Sequence, residues 1–332
     1  LPYGCGRVNI RLIDAPGHPS CVLNMLGGTG GIDCAMLVVA ADEGVKPQTE
    51  EHLAICRLLG IRYGLVAITK VDVASADQLE ATRRGLDALV AGTFLSGAPV
   101  VEVSAFRGDG IDELKAVLAS VAAEVAARSR EQIPRVPLDR AFSVRGFGTV
   151  VTGTLQVGSI RVGEMLQQAP GDHMVRVRGL QVHGKPQQNA EAPCRVALNL
   201  ADIEVAQIRR GDTLMPPHTL VASRTVDVEL EMLAGAEPIK HGQRVRVHAF
   251  TSDAPARVLL FQREETSMSR LARLRLAKPL LVVPGDRLVL RQLSPALTIG
   301  GARVLDSAVS AHVRKSNTLK WLTVLRSADA QE

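Results

Sequence analysis

The segment Asp14-Ala15-Pro16-Gly17-His18 combines three residue types that could act together on a bound phosphate. An Asp at the carboxyl end of a parallel strand can hold a water of a metal ion, and the backbone N–H of a following Gly can approach a phosphate because no side chain intervenes. His18 could orient an attacking water. A strand-to-helix turn in which Asp14 caps a helix explains the same residues, so the rest of the chain has to decide.

Two further polar motifs could bind a nucleobase. In Thr69-Lys70-Val71-Asp72, the carboxylate of Asp72 can accept from both the ring N–H and the exocyclic amine of guanine, a pair that adenine does not offer. The aliphatic stem of Lys70 can lie along the base plane. In Ser104-Ala105, the backbone N–H of Ala105 could donate to the guanine carbonyl oxygen. By itself, Thr69–Asp72 is more typical of a solvated turn, so its position in the fold has to decide whether it binds a base.

These motifs follow apolar runs that alternate with helix-like stretches from residue 1 to about residue 130. Such alternation predicts an α/β domain, a parallel sheet covered by helices on both faces. Ligands of such sheets lie beyond the carboxyl ends of the strands, so we expect the motifs at one edge, together with the turn Ala41–Gly44. The predicted strands are Val8–Ile13, Ala35–Ala40, Tyr63–Thr69 and Pro99–Val103, and the predicted helices are Val22–Gly27, Gln48–Leu59, Ala76–Ala91 and Ile111–Ala127.

A different pattern begins after a polar, proline-marked linker at Ser129–Pro137. Short strands and glycine turns predict two antiparallel β-barrels, and Pro216-Pro217 marks the boundary between them. The predicted organisation is an α/β domain at 1–131, a first barrel at 134–216, a second barrel at 220–306, and the start of a further helical region at 307–332.

Charge and composition restrict the partners. A net charge of +5 permits a nucleic-acid partner, and basic residues are frequent from Arg257 to Lys315, where acidic residues are few. No run approaches the about eighteen apolar residues of a membrane helix, so we expect no membrane partner. The 5 cysteines include no C-x-x-C pair. This argues against a disulfide framework or a zinc site and favours the reducing cytoplasm.

The chain resembles the translational GTPases, and among them the selenocysteine-specific elongation factors. Asp14–His18, Thr69–Asp72 and Ser104-Ala105 are similar to the second switch, the guanine motif and the final base-contact motif of that family. Other similar segments are Gly30–Asp33, Leu37–Val45, Asp139–Gly153, Arg178–His183 and Gly300–Asp306. The resemblance covers nearly the whole chain and implies a GTPase domain followed by two barrels.

Position by position, the resemblance implies a site for GTP or GDP with Mg²⁺. Asp14 would hold the Mg²⁺ through water, Gly17 would sense the γ-phosphate, and His18 would position the hydrolytic water. The guanine contacts would come from Thr69, Lys70, Asp72, Ser104 and Ala105.

For the first barrel, the resemblance implies a selenocysteine pocket formed by Asp139, Arg140 and Arg195. A selenol is ionised at neutral pH, so two guanidinium groups favour it over a neutral serine hydroxyl. An ordinary ion pair on the strand surface is the alternative for both arginines. The basic stretch after Arg257 would meet tRNA phosphates, with a solvated barrel surface as the alternative.

The implied function is the GTP-dependent delivery of selenocysteinyl-tRNA to the ribosome at recoded UGA codons, with C-terminal modules that bind an mRNA hairpin. The family's phosphate-binding loop and first switch have no counterpart in this sequence, which begins with Leu1. We therefore expect a piece of a longer protein that binds guanine nucleotide weakly or not at all and does not hydrolyse GTP. Two alternatives are a non-catalytic tRNA- or RNA-binding module with a degenerate GTPase domain, and a carrier of ordinary aminoacyl-tRNA similar to elongation factor Tu.

Overall fold

The computed structural model describes residues 2–5, 8–14, 32–125, 132–262, 269–295, 297–309 and 315–328. Contacts divide the chain into two units, whose described parts lie before and after the gap at 126–131. The first unit contains a parallel sheet with helices, and the second contains two closed antiparallel barrels. The predicted fold class is confirmed.

The first unit begins with a two-stranded antiparallel sheet of β1 (Pro2–Cys5) and β2 (Val8–Arg11). The sequence predicts Val8–Ile13 as a strand of the parallel sheet, and this prediction is wrong, because β2 pairs with β1 instead. Only residues 6 and 7 separate the two strands, and so short a connection joins antiparallel neighbours. Asp14 therefore follows a hairpin strand.

The parallel sheet consists of β3 (Cys34–Ala40), β4 (Tyr63–Thr69) and β5 (Val100–Glu102), with β4 in the middle. The continuous apolar run of β4 is buried along most of its length, as expected for a central parallel strand. Close packing explains Gly64 within it. A Cβ atom at Gly64 would lie 2.5 Å from the carbonyl oxygen of Ala35.

Three helices follow the strands of this sheet: α1 (Pro47–Leu58), α2 (Ala76–Val90) and α3 (Ile111–Glu124). Helix α1 packs on β3, and α3 packs on β4 and β2. Helix α2 begins with a capping box, in which the backbone N–H of Ser75 donates to Gln78 Oε1 (2.9 Å) and that of Gln78 donates to Ser75 Oγ (3.2 Å). This cap fixes the start of α2 directly after the motif that ends β4.

The first barrel closes through six strands in the order β10, β13, β7, β6, β14 and β9, and β9 pairs again with β10. Alternate residues of β7 are buried in its core, from Thr149 to Leu155. The strands of this part are β6 (Val136–Val144), β7 (Gly148–Leu155), β8 (Ser159–Arg161), β9 (Met165–Ala169), β10 (Met174–Val182), β11 (Lys185–Gln187), β12 (Asn189–Glu191), β13 (Cys194–Ala201) and β14 (Thr213–Met215).

The second barrel closes in the order β15, β18, β17, β16, β19 and β20, and β20 pairs with β15. Buried valines and leucines alternate with outward polar residues along its strands, as in other small barrels. Its strands are β15 (Ser223–Met232), β16 (Arg244–Ala249), β17 (Ser252–Leu260), β18 (Ser269–Leu280), β19 (Arg287–Arg291) and β20 (Thr298–Asp306).

A final helix, α4 (Lys315–Ala328), packs on the second barrel. Its Leu322 is fully buried against Leu271 and Leu305. Trp321, the single tryptophan of the chain, is 55% exposed and can report on this region. Among the helices of the described residues, none combines the length and the apolar character needed to cross a membrane.

A buried ion pair joins the two barrels. The guanidinium of Arg135, just before β6, donates to the carboxylate of Asp286, just before β19, with Nη1–Oδ2 at 2.7 Å and Nη2–Oδ1 at 2.9 Å. The same guanidinium lies 5.6 Å from the ring centroid of Phe250. An apolar cluster also spans the junction, with Ala169 and Met215 from the first barrel and Leu281 from the second.

His248 is buried in the second barrel without its charge. It lies on β16 opposite Asp253 and is 6% exposed, and its Nε2 has no hydrogen-bond partner among the described residues. Burial is the main cause that lowers the pKa of His248 from 6.5 to about 4. Asp253 opposes this shift, whereas the charges of Arg291 and Arg246 add to it.

We therefore expect His248 to make the second barrel less stable in mild acid. In the unfolded chain the imidazole takes up a proton near its ordinary pKa of 6.5, whereas in the folded chain it does so only near pH 4. Between pH 7 and pH 5 this difference lowers the free energy of unfolding by about 2 kcal/mol. In urea unfolding followed by Trp321 fluorescence, His248→Gln should lose that part of the pH dependence. Equal pH slopes for the wild type and the variant would contradict the expectation.

Candidate functional site

The carboxyl ends of β4 and β5 bring the two predicted base-binding motifs together. Strand β4 ends at Thr69 and runs parallel to β5. Beyond the end of β5, the backbone N–H of Val103 donates to the carbonyl oxygen of Ile68 (2.8 Å), which keeps the two chain segments side by side. This pairing places Thr69-Lys70-Val71-Asp72 next to Ser104-Ala105.

A pocket of about 630 Å³ lies at this edge of the sheet. Its volume falls within the range of small-molecule sites, about 300–1,000 Å³. Two lining residues escaped the sequence analysis, Val73 and Phe106, which are 64% and 91% exposed. Each is a large apolar residue directly after a polar motif, and this position in the sequence could have indicated that it contacts the ligand. Their uncovered apolar surface suits a flat ligand such as a nucleobase. The lining residues are Thr69, Lys70, Asp72, Val73, Ala105 and Phe106.

The carboxylate of Asp72 is kept ionised at this pocket. A hydrogen bond from the Ser104 hydroxyl lowers the pKa of Asp72, and the charge of Arg107 acts in the same direction. Ser104 is fully buried, and its Oγ accepts from the backbone N–H of Arg107 (3.0 Å). Ser104, which does not itself line the pocket, thus fixes the position of the Asp72 carboxylate through this hydrogen bond. An ionised carboxylate can accept two hydrogen bonds at once.

Ala105 and Thr69 complete the polar lining of the pocket. Ala105 is exposed, and its backbone N–H makes no hydrogen bond within the described part of the chain, so it can donate to a ligand. The hydroxyl of Thr69 donates to the carbonyl oxygen of Val39 (3.5 Å), which ties the end of β4 to β3.

Lys70 connects the pocket with the turn after β3. Its backbone lies in the left-handed region (φ +57°), which is uncommon for a residue with a side chain. Its ammonium pairs with Glu43 Oε1 at 3.2 Å and with Asp42 Oδ2 at 3.3 Å. The hydrogen bond to Glu43 is the largest cause that raises the pKa of Lys70.

The structure does not place Asp14 at this pocket. Asp14 is exposed, follows β2, and is absent from the pocket lining. The expectation that it shares the edge with the other motifs is not met, because β2 is not paired with the parallel sheet. Gly17 and His18 lie outside the described residues. Within the described ranges, no group of three His, Cys, Asp or Glu side chains lies close enough together to hold a metal ion.

Three residues of the first barrel form a hydrogen-bonded cluster on β6, β7 and β13. Asp139 Oδ1 accepts from Thr152 Oγ1 (2.6 Å) and from Arg195 Nη2 (2.8 Å), and Asp139 Oδ2 accepts from Arg195 Nη1. A β-bulge between Leu138 and Arg140 interrupts the register there. Arg140 is exposed and has no ion pair among the described residues. Within the described ranges, the charge of Arg195 is thus compensated, whereas that of Arg140 is not.

Three arginines of the second barrel lie in one line across neighbouring strands, and we call them the arginine row. Arg244 of β16 pairs in register with Arg257 of β17, which pairs with Arg275 of β18. All three are exposed, and none has an ion pair in the part of the chain that the structure describes. Like charges directly opposite each other in a sheet are unfavourable. An anion with repeated charges, such as a nucleic-acid backbone, would relieve this repulsion.

Comparison with known proteins decides the family. The family model of the elongation factor Tu GTP-binding domain matches residues 3–124, and that of elongation factor Tu domain 2 matches residues 148–215. The model of the β-barrel domain of the selenocysteine-specific elongation factor matches residues 224–311. The selenocysteine-specific elongation factor of Desulfomicrobium baculatum is 42% identical over 98% of this chain and 52% of its own length. That of Escherichia coli is 36% identical over 99% of this chain and 52% of its own length. The chain belongs to the selenocysteine-specific elongation factor family.

A solved structure of this family agrees with the fold. The crystal structure of a bacterial selenocysteine-specific elongation factor, EF-Sec, is similar with a TM-score of 0.84 and 27% identity over 93% of this chain and 51% of that chain. The chain spans about half the length of the curated selenocysteine-specific elongation factors that it matches (52%).

The matched ranges contain most of the candidate residues of this chain. The pocket residues fall within the GTP-binding range, and the arginine row falls within the β-barrel range. Arg195 lies inside the domain 2 range at 148–215, whereas Asp139 and Arg140 precede it. The assignment of Asp139 and Arg140 therefore depends on the sequence motif and on their neighbourhood to Arg195.

Proposed function

We propose that this chain supplies the guanine-recognition and tRNA-contacting parts of a selenocysteine-specific elongation factor. The whole protein would deliver selenocysteinyl-tRNA to the ribosome at recoded UGA codons in a GTP-dependent manner. The pocket at the ends of β4 and β5, where Lys70, Asp72 and Ala105 meet, carries this proposal. Family membership and the two barrels support it.

The pocket offers groups that complement guanine. The Asp72 carboxylate accepts from the ring N–H and the amine, while the Ala105 N–H donates to the carbonyl oxygen. The Lys70 stem and the Phe106 ring offer apolar surface to the faces of the base. Adenine lacks the ring N–H and the carbonyl oxygen, so it would leave Asp72 and Ala105 without partners.

The first barrel would hold the aminoacyl group near Asp139, Arg140 and Arg195. Because Arg195 is paired with Asp139, an incoming group has to compete with a carboxylate for it. An ionised selenol can do so with help from the uncompensated Arg140, whereas a neutral serine hydroxyl cannot. This arrangement would favour selenocysteine over serine.

For the whole protein we also propose the finer features that the family implies. The domains would be 1–131, 134–216 and 220–306, with 307–332 beginning a further region. Mg²⁺ would accompany the nucleotide, the ribosome and an mRNA hairpin would be partners, and the cytoplasm would be the location. The roles of Asp14 toward Mg²⁺, of Gly17 toward the γ-phosphate and of His18 toward the hydrolytic water remain predictions from the sequence.

By itself, the chain is expected to bind guanine nucleotide weakly or not at all and not to hydrolyse GTP. Its sequence has no strand followed by a glycine-rich loop with a Lys-Ser/Thr pair. Without that loop the phosphates lack their backbone amide cradle and its lysine. Binding tests therefore need about millimolar nucleotide, at which a complex with a Kd of about 1 mM is populated.

Asp72→Asn is expected to change which base the chain prefers. The wild type should favour GDP over the xanthosine and adenosine diphosphates. The Asn side chain keeps one acceptor and gains a donor, which matches the ring N–H and the 2-carbonyl of xanthine. We expect GDP binding to fall by about 10- to 100-fold and the preference to invert toward xanthosine diphosphate. Saturation-transfer NMR with each nucleotide measures this.

Asp112→Asn is the matched control, since Asp112 lies in the same unit and pairs with Lys115 on the surface of α3. It should leave the preference unchanged. If the wild type binds the three nucleoside diphosphates with equal affinity, the proposal that the pocket recognises guanine is wrong. Together with retained tRNA binding, that result would favour the second candidate function, an RNA-binding module with a degenerate GTPase unit, which the arginine row supports.

A further inference from the structure

The turn between β3 and α1 contacts a residue that lines the base pocket, although no guanine motif includes this turn. The carboxylates of Asp42 and Glu43 contact Lys70 Nζ at 3.3 and 3.2 Å. Lys70 also lines the pocket. Its side chain therefore connects the pocket wall with two acidic residues that lie outside the pocket lining.

The backbone of this turn is anchored to the elements on either side of the pocket motif. The N–H of Ala41 donates to the carbonyl oxygen of Thr69 at the end of β4 (2.8 Å). From α2, Thr82 Oγ1 donates to the carbonyl oxygen of Ala41 (3.1 Å) and Gln78 Nε2 donates to that of Asp42 (3.5 Å). Hydrogen bonds with β4 and α2 thus fix the position of the turn that carries Asp42 and Glu43.

Stability alone gives a weak reason for this contact. The side chains of Lys70, Asp42 and Glu43 are 49%, 31% and 52% exposed, and exposed ion pairs contribute little to folding. A lysine side chain has four flexible carbons, and it loses much rotamer freedom when it is held in one place. Holding the ammonium in advance removes part of that loss from ligand binding.

We propose that Asp42 and Glu43 are positioning residues of the base pocket, which hold the Lys70 ammonium so that the Lys70 stem forms a wall for a purine base. This inference rests on the proposed guanine recognition. The stem contacts the face of the base, which guanine, hypoxanthine and xanthine share, whereas Asp72 reads the edge. Asp42 and Glu43 therefore set the affinity for all three purines, and Asp72 sets the preference among them.

The test is a titration of the full chain with the diphosphates of guanosine, inosine and xanthosine, followed by saturation-transfer NMR. Asp42→Asn/Glu43→Gln should weaken all three by a common factor of about 3- to 10-fold. Lys70→Met keeps an unbranched apolar stem without the ammonium. In that background the same two substitutions should change each affinity by less than about twofold. Glu43→Gln alone should show a smaller loss in the same direction.

Two results would overturn the inference and leave guanine recognition intact: unchanged affinities in the double variant, or an equal loss in the Lys70→Met background. A change in the preference between guanosine and xanthosine diphosphates would overturn it as well. If the wild type shows no preference among the purine nucleotides, both the proposed guanine recognition and this inference are wrong. Asp112→Asn, which removes the exposed pair with Lys115 at 2.9 Å, should leave all affinities unchanged.

Discussion

Arg135→Ala is expected to destabilise the two-barrel unit by about 3–5 kcal/mol, because it leaves the carboxylate of Asp286 buried without its counter-charge. The side chains of Arg135 and Asp286 are only 9% and 8% exposed. After the substitution, the backbone N–H of Val283 (2.8 Å) is the hydrogen-bond donor that remains to Asp286 among the described contacts. The contact with the Phe250 ring would be lost as well. Urea unfolding with Trp321 fluorescence measures the change.

An exposed ion pair of the same kind is the control. Arg246 pairs with Asp253 within the second barrel, and their side chains are 44% and 38% exposed. Arg246→Ala should cost less than about 1 kcal/mol. Replacing both buried partners, as in Arg135→Met/Asp286→Leu, should recover much of the loss, since an apolar pair leaves no unpaired charge. An Arg135→Ala variant as stable as Arg246→Ala would show that the barrels do not depend on this pair.

Local sequence patterns were sufficient where the signal lies within a few residues. The apolar run Tyr63–Thr69 predicts β4 with the bounds that the structure has, and the helix predicted at Ala76–Ala91 ends at Val90. Because parallel strands end at the same edge of a sheet, the neighbourhood of Asp72 and Ala105 follows from the order of the elements.

Contacts between distant segments could not be predicted in this way. Residues 135 and 286 are 151 positions apart, and only the docking of two barrels brings them together. The contact of Lys70 with Asp42 depends on the backbone path of two separate turns. Strand β1 contains Pro2 and Gly4 and shows no apolar alternation, so the sequence does not indicate it as the partner of β2.

Barrel register was also invisible in the sequence. The basic stretch that begins at Arg257 includes Arg275 but not Arg244, which lies upstream of it. A shift of one residue between two strands would turn one of these side chains to the opposite face. The register of β16, β17 and β18 is therefore what aligns the arginine row on the surface.

Removing the arginine row is expected to weaken nucleic-acid binding and its dependence on salt. Each phosphate neutralised by a cation adds about 0.7–0.9 to the slope of log K against log salt, so Arg244→Gln/Arg257→Gln/Arg275→Gln should lower the slope by about 2–3. The ratio of the affinities at 50 and 200 mM salt should then fall by about 15- to 60-fold. Fluorescence anisotropy with a labelled tRNA transcript at several salt concentrations measures both. Stability should stay the same or rise slightly, since three like charges no longer face each other.

A control with the same change in net charge separates the row from the charge of the whole chain. The side chains of Arg83, Arg246 and Lys115 are 46%, 44% and 44% exposed, and each is already paired with a carboxylate. Because their charge is compensated, substituting all three by Gln should change the salt slope by much less than substituting the row. If the two triple variants lose the same slope, net charge explains the binding. If neither loses it, the phosphates bind elsewhere, and the repulsion along Arg244, Arg257 and Arg275 is not relieved by a nucleic acid.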